Sequence, residues 1–381
     1  MLRILLSLSA IVSLLCSFDI QAGTRVIKFG QTAAIGGPAA ELGLGMQAGI
    51  KAAFNEVNAA GGINGWTLEL VTLDDGYEPK KAIANTKTLI ADDTIFALIG
   101  GVGTPTANAI EPITTAAKVP FIAPFTGAQF LRSPYKRYVV NIRGSYWQET
   151  ERWVEYAVDT LGYKDIAILY QDDSYGRAGL SGVERSLKKR GLDLAEEGTY
   201  MRNTTAVKMA FSKISRVNPE AIFMVGAYKP CGEFIKLVKS SKLNSTLISL
   251  SFVGTRALTD KLGKDGEGVI ISQVVPFPYD SGSKLVKKYT AAMNLANEQS
   301  RIGFVSLEGY LSGRFVAEVL KKIPTTNLSR EAFIDEVIKT GVYDLDGFKL
   351  NFGNQDNQGS NEVFLTQINS AGNIEPMQAQ G

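Results

Sequence analysis

The sequence contains no histidine, and it has only two cysteines among 381 residues. Without histidine, the chain lacks both the commonest general base and the commonest metal ligand of enzymes. Neither the Gly-x-Ser-x-Gly turn of hydrolases nor a phosphate-binding loop is present. We therefore expect no enzyme, no cofactor and no metal site.

An excess of charge of either sign is also missing. Lys and Arg number 40 against 38 Asp and Glu, a formal net charge of +2. Because no basic run or arginine cluster stands out, nucleic acid is not an expected partner. Cys16 lies in the N-terminal apolar segment, and Cys231 falls on an apolar helix face beside a proline. Packing is the expected role of Cys231, and no disulfide within the mature chain is expected.

Long apolar runs are absent except at the N-terminus. Arg3 is followed by an apolar run over 4–15 and then by the small-residue exit Ile20-Gln21-Ala22. This order is typical of a secretory signal, so residues 1–22 are predicted to be cleaved. The run falls short of the roughly 20 residues that span a bilayer. The mature protein is expected to lie outside the cytoplasm.

The remaining chain alternates between strand-type and helix-type segments. Strands are predicted at 25–31, 66–73, 95–99, 119–123, 166–170, 192–194, 221–225, 246–250 and 269–275. Helical spacing of apolar residues lies between them, and Pro112 predicts a kink or a restarted turn in one helix. Alternation of this kind predicts an α/β fold with mostly parallel sheets flanked by helices. The length favours two domains.

A glycine turn follows the buried-type strand at 95–99. Gly100, Gly101 and Gly103 precede Thr104 and Pro105, which are predicted to cap a helix and to occupy its first turn. Free amides at such a helix start could receive a carboxylate. The alternative is a strand-to-helix turn that binds nothing.

Several ordered motifs extend this pattern. They are Gly37-Pro38 with Leu42-Gly43, the stretch 58–65, Asp74-Asp75 with Pro79, the glycine turn, the stretch 173–176, Gly226-Ala227-Tyr228, and Glu267-Gly268. In this order and spacing, from about residue 26 to 368, the chain resembles the periplasmic branched-chain amino-acid-binding protein family. Members of that family are solute receptors of ATP-driven importers.

The resemblance implies a type I two-lobe periplasmic-binding-protein fold. Three crossing segments would form the hinge, near 139–143, 272–276 and 356–362. Lobe 1 would comprise residues 23–141 plus 275–356, and lobe 2 residues 142–274 plus 357–381. Each lobe would be a mostly parallel sheet flanked by helices.

The resemblance also implies a ligand site between the lobes. The ligand carboxylate would lie at the glycine turn, with polar contacts from the next loop, lobe 2 tyrosines opposite, and two side chains packing beside them. The corresponding residues are Val102, Gly103 and Thr104; Phe125, Thr126 and Gly127; Tyr175 and Tyr228; and Leu42 and Phe304. Thr126 is offset by one position from the family's hydroxyl, and boundary packing is the alternative role for the tyrosines.

One departure concerns the acidic residue that pairs with the ligand ammonium in the family. Its position holds Ser251, which cannot neutralise a buried cation. Either another carboxylate replaces it, with Glu308, Asp172 or Asp173 as candidates, or the ligand has no ammonium. Taken singly, each candidate is expected on a solvated surface. The family's cysteine pair is also missing, its positions being Gly76 or Tyr77 and Gly103.

The expected function is therefore solute binding. A monomer in the periplasm would capture a small amino acid or related carboxylate by closing its lobes and would pass it to the membrane permease of an ABC importer. The alternative is a receptor module of the same fold that feeds a membrane signalling protein. Gly43, Gly45 and Gly49 superficially suggest a dinucleotide-binding enzyme, but their spacing is wrong and no strand precedes them.

Overall fold

The computed structural model describes residues 25–377. The predicted signal segment, 1–22, lies outside this range. Strands and helices alternate over most of the chain, and the strands form two separate sheets and one hairpin. The prediction of an α/β fold with mostly parallel sheets flanked by helices is confirmed. Among the described helices, none is long and apolar enough to cross a bilayer.

The strands and α-helices have the following bounds. The strands are β1 (Arg25–Ala33), β2 (Trp66–Asp74), β3 (Ile95–Ile99), β4 (Phe121–Ile122), β5 (Val139–Val140), β6 (Ile166–Gln171), β7 (Glu196–Tyr200), β8 (Ala221–Val225), β9 (Thr246–Ser249), β10 (Ile270–Gln273), β11 (Val342–Leu345), β12 (Phe348–Asn351), β13 (Phe364–Ile368) and β14 (Ile374–Pro376). The helices are α1 (Ala40–Ala59), α2 (Pro79–Ala91), α3 (Thr104–Ala116), α4 (Tyr146–Val154), α5 (Ser174–Lys188), α6 (Lys208–Ile214), α7 (Tyr228–Lys239), α8 (Thr255–Leu262), α9 (Lys284–Leu295), α10 (Phe304–Lys321) and α11 (Arg330–Thr340).

The first sheet has the strand order β2-β1-β3-β4-β5, and all its neighbours are parallel. The second has the order β14-β13-β10-β9-β8-β6-β7 and is parallel from β10 to β7. Strands β13 and β14 add to it antiparallel at one edge. The carboxyl ends of parallel strands are where ligand-binding loops gather in open α/β sheets.

Helices α1 and α10 pack very closely because glycines line their contact. A side-chain carbon built on Gly49 would lie 1.9 Å from the Ser306 carbonyl oxygen. Gly309 and Gly313 approach the α1 backbone in the same way. The glycines of α1 that superficially resembled a dinucleotide turn therefore have a packing role here.

One predicted strand is wrongly placed. Residues 192–194 are irregular, and the strand begins at Glu196, where the chain pairs with Ala167 of β6. Helix α3 continues through Pro112, so of the predicted kink or restarted turn, the restarted turn is excluded. Pro112 and Asn108 are both exposed, so the carbonyl that the proline leaves without a helical partner can bond to water.

Candidate functional site

The glycine turn after β3 forms one wall of the site. Gly103 has φ of 106° and is the N-cap residue of α3, so Thr104 is the first helical residue and not the cap. This corrects the capping prediction, and the reason is conformational: a positive φ is easily adopted only by glycine. Pro105 lies in the first turn, as predicted.

Hydroxyl groups meet where this turn faces the next loop. The Thr104 and Thr126 hydroxyl oxygens are 2.7 Å apart, and both residues are fully buried. Val102 forms a parallel bridge with Phe125, and the Gly103 amide donates to the Phe125 carbonyl at 3.3 Å. The Thr104 amide has no acceptor within residues 25–377. One amide of the predicted dock is thus used internally and another is free.

The positions of the family's cysteine pair lie in contact. A side-chain carbon on Gly103 would fall 2.2 Å from the Tyr77 ring. The ring therefore requires glycine at 103, and it occupies the space that a second side chain would need. Gln171 of β6 donates to the Tyr77 hydroxyl at 3.3 Å, which links the two sheets across the site.

Aromatic rings fill the space beside the threonines. Phe252 lies 4.6 Å from Tyr175, 5.3 Å from Phe125 and 6.0 Å from Tyr77, measured between ring centroids. The Tyr146 ring is 5.7 Å from Tyr175. These rings come from loops and helix starts that follow strands of both sheets, and all of them are buried, so the site is closed around an aromatic centre.

Gly127 allows Tyr146 to enter the site. A side-chain carbon there would lie 2.5 Å from the Tyr146 ring, and the Gly127 carbonyl accepts the Tyr146 amide at 2.7 Å. The Tyr146 hydroxyl faces Thr104 and Thr126 without completing a hydrogen bond to any residue of the described chain. It is a free donor beside the threonine pair.

A buried charge cluster lies next to the rings. Arg143, just after β5, is fully buried and pairs with Glu149 at 3.0 Å and Glu308 at 3.4 Å. Its guanidinium also donates to the Ser251 hydroxyl and lies 5.1 Å from the centre of the Phe125 ring. The Arg143 Nε has no partner within the described residues.

Both carboxylate oxygens of Glu149 already accept two hydrogen bonds each. One carboxylate oxygen accepts from Arg143 and from the Ser251 hydroxyl, each at 3.0 Å. The other accepts from the Ser251 amide at 2.9 Å and the Ser272 hydroxyl at 2.6 Å. Glu149 thus brings a carboxylate to the position where the sequence has only a serine, but its hydrogen-bonding capacity is already used.

Glu308 is buried, so its expected place on a solvated helix face is wrong. The helix explains this, because Phe304, Leu307 and Leu311 put Glu308 within the apolar stripe of α10. Burial raises the pKa of Glu308 to about 7, against the attraction of Arg143. Asp172 is exposed and pairs with Arg177, as expected for a surface position.

Asp173 is partly buried but is used locally. It accepts the Tyr175 amide at the start of α5, and it pairs with Arg202 at 2.9 Å.

Arg132 completes the charges around the site. Its buried guanidinium donates to backbone carbonyls of Ala128, Thr126 and Arg143, and burial, followed by repulsion from Arg143, lowers its pKa to about 9.

The predicted packing residues lie at the rim. Leu42 and Phe304 line a small cavity of about 20 Å³, and Gly254 lines the same cavity. Tyr228 begins α7 and is almost completely buried. Across the same rim, Arg256 of α8 pairs with Glu41 of α1, and Arg301 reaches Glu41 at 3.2 Å.

The structure therefore brings the turn residues, Thr126, Tyr175 and Ser251 into one buried region, with Leu42, Phe304 and Tyr228 at its edge. Sequence reasoning missed Arg143, Glu149, Tyr146 and Phe252. A signal for Glu149 was present, because Tyr146, Glu149, Thr150 and Trp153 follow helical spacing and share the buried face of α4.

The sequence profile of the periplasmic binding protein family matches residues 26–373. The chain belongs to this family. The leucine-, isoleucine-, valine-, threonine- and alanine-binding protein of Pseudomonas aeruginosa is 23% identical over 306 residues, which cover 80% of each chain. The Leu/Ile/Val-binding protein of Citrobacter freundii is 26% identical over 268 residues, 69% of this chain and 71% of that protein.

A solved structure agrees with these relatives. The possible leucine/isoleucine/valine-binding protein of Rhodopirellula baltica is 35% identical, has a TM-score of 0.88, and the match covers 93% of this chain and 97% of that one. The recognised resemblance to branched-chain amino-acid-binding proteins and the type I fold are thereby confirmed. These relatives of the binding protein are solute-binding proteins and not enzymes.

Proposed function

We propose that this binding protein captures a small amino acid or related carboxylate between two lobes and passes it to the membrane permease of an ABC importer. The carrying observation is the set of buried, free donors at the glycine turn. The Thr104 amide, the Tyr146 hydroxyl and the Arg143 Nε have no acceptor in the described chain. Buried donors without partners are costly, and a carboxylate supplies two acceptor oxygens.

The lobes follow the division implied by the resemblance: 23–141 plus 275–356, and 142–274 plus 357–381. Two observations support it. The strands of the first sheet all lie before residue 141, and those of the second lie between 166 and 376. Where the chain passes between the sheets, the Asn141 amide donates to Asn357, and Gly359 donates to Asn141, both at 2.8 Å. These bonds would tie two crossing segments into one hinge.

In this function, Val102, Gly103, Thr104, Phe125, Thr126 and Gly127 form the carboxylate dock of lobe 1. Tyr175, Tyr228 and Ser251 contribute from lobe 2, and Leu42 and Phe304 contact the ligand's side chain. Export through cleavage of residues 1–22 would place the monomeric mature protein in the periplasm. Closure is driven by ligand contacts made to both lobes at once.

Calorimetry with a panel of amino acids and carboxylic acids tests the proposal. We expect Tyr146→Phe, which removes one of the free donors, to weaken binding of the preferred solute roughly tenfold or more, since a hydrogen bond to a charged group contributes about 1.5–3 kcal/mol. Tyr228→Ala should also weaken it. Thr88→Ala, which removes an exposed hydroxyl from α2, is the matched control. If no solute binds, or if both variants bind as tightly as the parent protein, the assignment fails.

A further inference from the structure

The two carboxylates of the buried cluster differ in how well they are satisfied. Glu149 accepts four hydrogen bonds of 2.6–3.0 Å. Within residues 25–377, Glu308 accepts only from one Arg143 nitrogen, at 3.4 and 3.5 Å. Yet its side chain is only 3% exposed. A buried carboxylate with such long contacts still has capacity for a strong donor.

Glu308 is also placed towards the ligand site. Phe304 and Glu308 are four residues apart in α10 and therefore share a helix face. Phe304 lines the rim cavity, and Glu308 lies one turn further along the helix, against Arg143. The same face of α10 thus carries an apolar residue at the rim cavity and a buried carboxylate in contact with Arg143.

The charges around Glu308 balance without a ligand. Arg132 and Arg143 offset Glu149 and Glu308 when both carboxylates are ionised. While Glu308 is ionised, a ligand with one carboxylate and no ammonium adds an extra buried negative charge, which is costly, so it would bind only when Glu308 takes up a proton. A zwitterion adds no net charge and offers both a carboxylate for the free donors and an ammonium for Glu308.

We propose that Glu308 is the specificity-determining carboxylate of the cleft: it accepts the ammonium of a zwitterionic α-amino acid, so that the site rejects the corresponding acid without the amino group. This inference rests on the proposed function and deepens it. It resolves the question raised by Ser251, because the acid comes from α10 instead of from position 251.

The affinity for amino acids should therefore depend on pH in a defined direction. An ammonium pairs with ionised Glu308, whereas burial raises the pKa of that carboxyl to about 7 without ligand. The charged groups that act on it are Arg143, Glu149 and Arg132. Amino-acid affinity should therefore increase from pH 5.5 to pH 8, by roughly 30-fold if Glu308 alone titrates. A plain carboxylate would show the opposite trend, because it would favour protonated Glu308.

The test compares matched ligand pairs by calorimetry at pH 5.5 and 8. The pairs are L-alanine with propanoate, L-valine with 3-methylbutanoate, and L-leucine with 4-methylpentanoate. Glu308→Gln should weaken the amino acids by roughly 30-fold or more at pH 8 and remove their pH dependence. Glu111→Gln is the control, since Glu111 is a buried carboxylate on α3 that pairs with Lys136 away from the cluster.

The outcomes separate the two proposals. Preference for the amino acid in each pair, with loss in Glu308→Gln but not in Glu111→Gln, supports the inference. Equal binding of the acid without the amino group at pH 8, or unchanged amino-acid affinity in Glu308→Gln at pH 8, overturns it while solute binding stands. If no member of any pair binds the wild-type protein, both this inference and the proposed amino-acid function are wrong.

Discussion

Replacing Glu308 with glutamine is expected to stabilise the ligand-free protein at pH 8. Glutamine has the size of the protonated side chain and carries no charge, so it avoids the cost of ionising a buried carboxyl. The contacts it gives up are weak, since Arg143 approaches Glu308 no closer than 3.4 Å and keeps Glu149 as a partner. If Glu308 only supported the fold, its replacement by glutamine would lower the stability of the protein instead.

The magnitude follows from the two pKa values. Burial raises the pKa of Glu308 from its ordinary 4.5 to about 7. A carboxyl with a raised pKa in the folded state binds more protons there than when unfolded, so its stability contribution is fully present below pH 4.5 and is lost as the pH rises towards 7. Between pH 5 and pH 8 this loss is on the order of 2–3 kcal/mol. The gain from Glu308→Gln should grow by that amount over the same range.

Urea unfolding of the wild-type protein and the Glu308→Gln variant at pH 5, 6, 7 and 8 measures this difference directly. Glu111→Gln serves as a control, because loss of its bond to Lys136 should destabilise the protein. A stability difference between wild type and Glu308→Gln that stays constant from pH 5 to pH 8 would refute the reasoning. It would mean that Glu308 ionises like an exposed glutamate.

Two further predictions concern packing. Gly49→Ala would place a methyl group 1.9 Å from the Ser306 carbonyl oxygen. We expect the free energy of unfolding in urea to fall by roughly 1–3 kcal/mol, although alanine is the better helix former. Unchanged stability would show that α1 and α10 can move apart freely. Burial raises the pKa of the Cys231 thiol to about 12. In protein expressed without residues 1–22, Ellman's reagent should therefore react slowly at pH 8 with the folded state and rapidly after urea unfolding. Fast reaction in the folded state would contradict the buried position of Cys231.

The sheets and the glycine turn were predictable because their signals are local. The strand Ala221–Val225 was predicted with the bounds that the structure shows, since a short apolar run between turn residues has few other interpretations. The glycine turn likewise marked a close approach of backbone and neighbours. Its cap was misplaced by one residue because a threonine hydroxyl is a stronger capping signal than the positive φ that Gly103 adopts.

The charge cluster could not be predicted in the same way. Arg143 meets Ser251 and Glu308, which lie 108 and 165 residues further along the chain. No spacing rule connects such positions in a single sequence. The burial of Glu308 could be predicted from the periodicity of α10. Its pairing with Arg143 could not, because it depends on how distant parts of the chain pack together.

The glycine contact between α1 and α10 also has a consequence for synthesis. Roughly 245 residues separate the end of the first helix from the start of the second, and translation at about 5–20 residues per second takes roughly 10–50 s to cover them. During that interval, the glycine-lined side of α1 that packs against α10 has no partner. The first-made part of the protein therefore cannot complete its core until most of the chain exists, and this delay leaves that apolar surface available to chaperones.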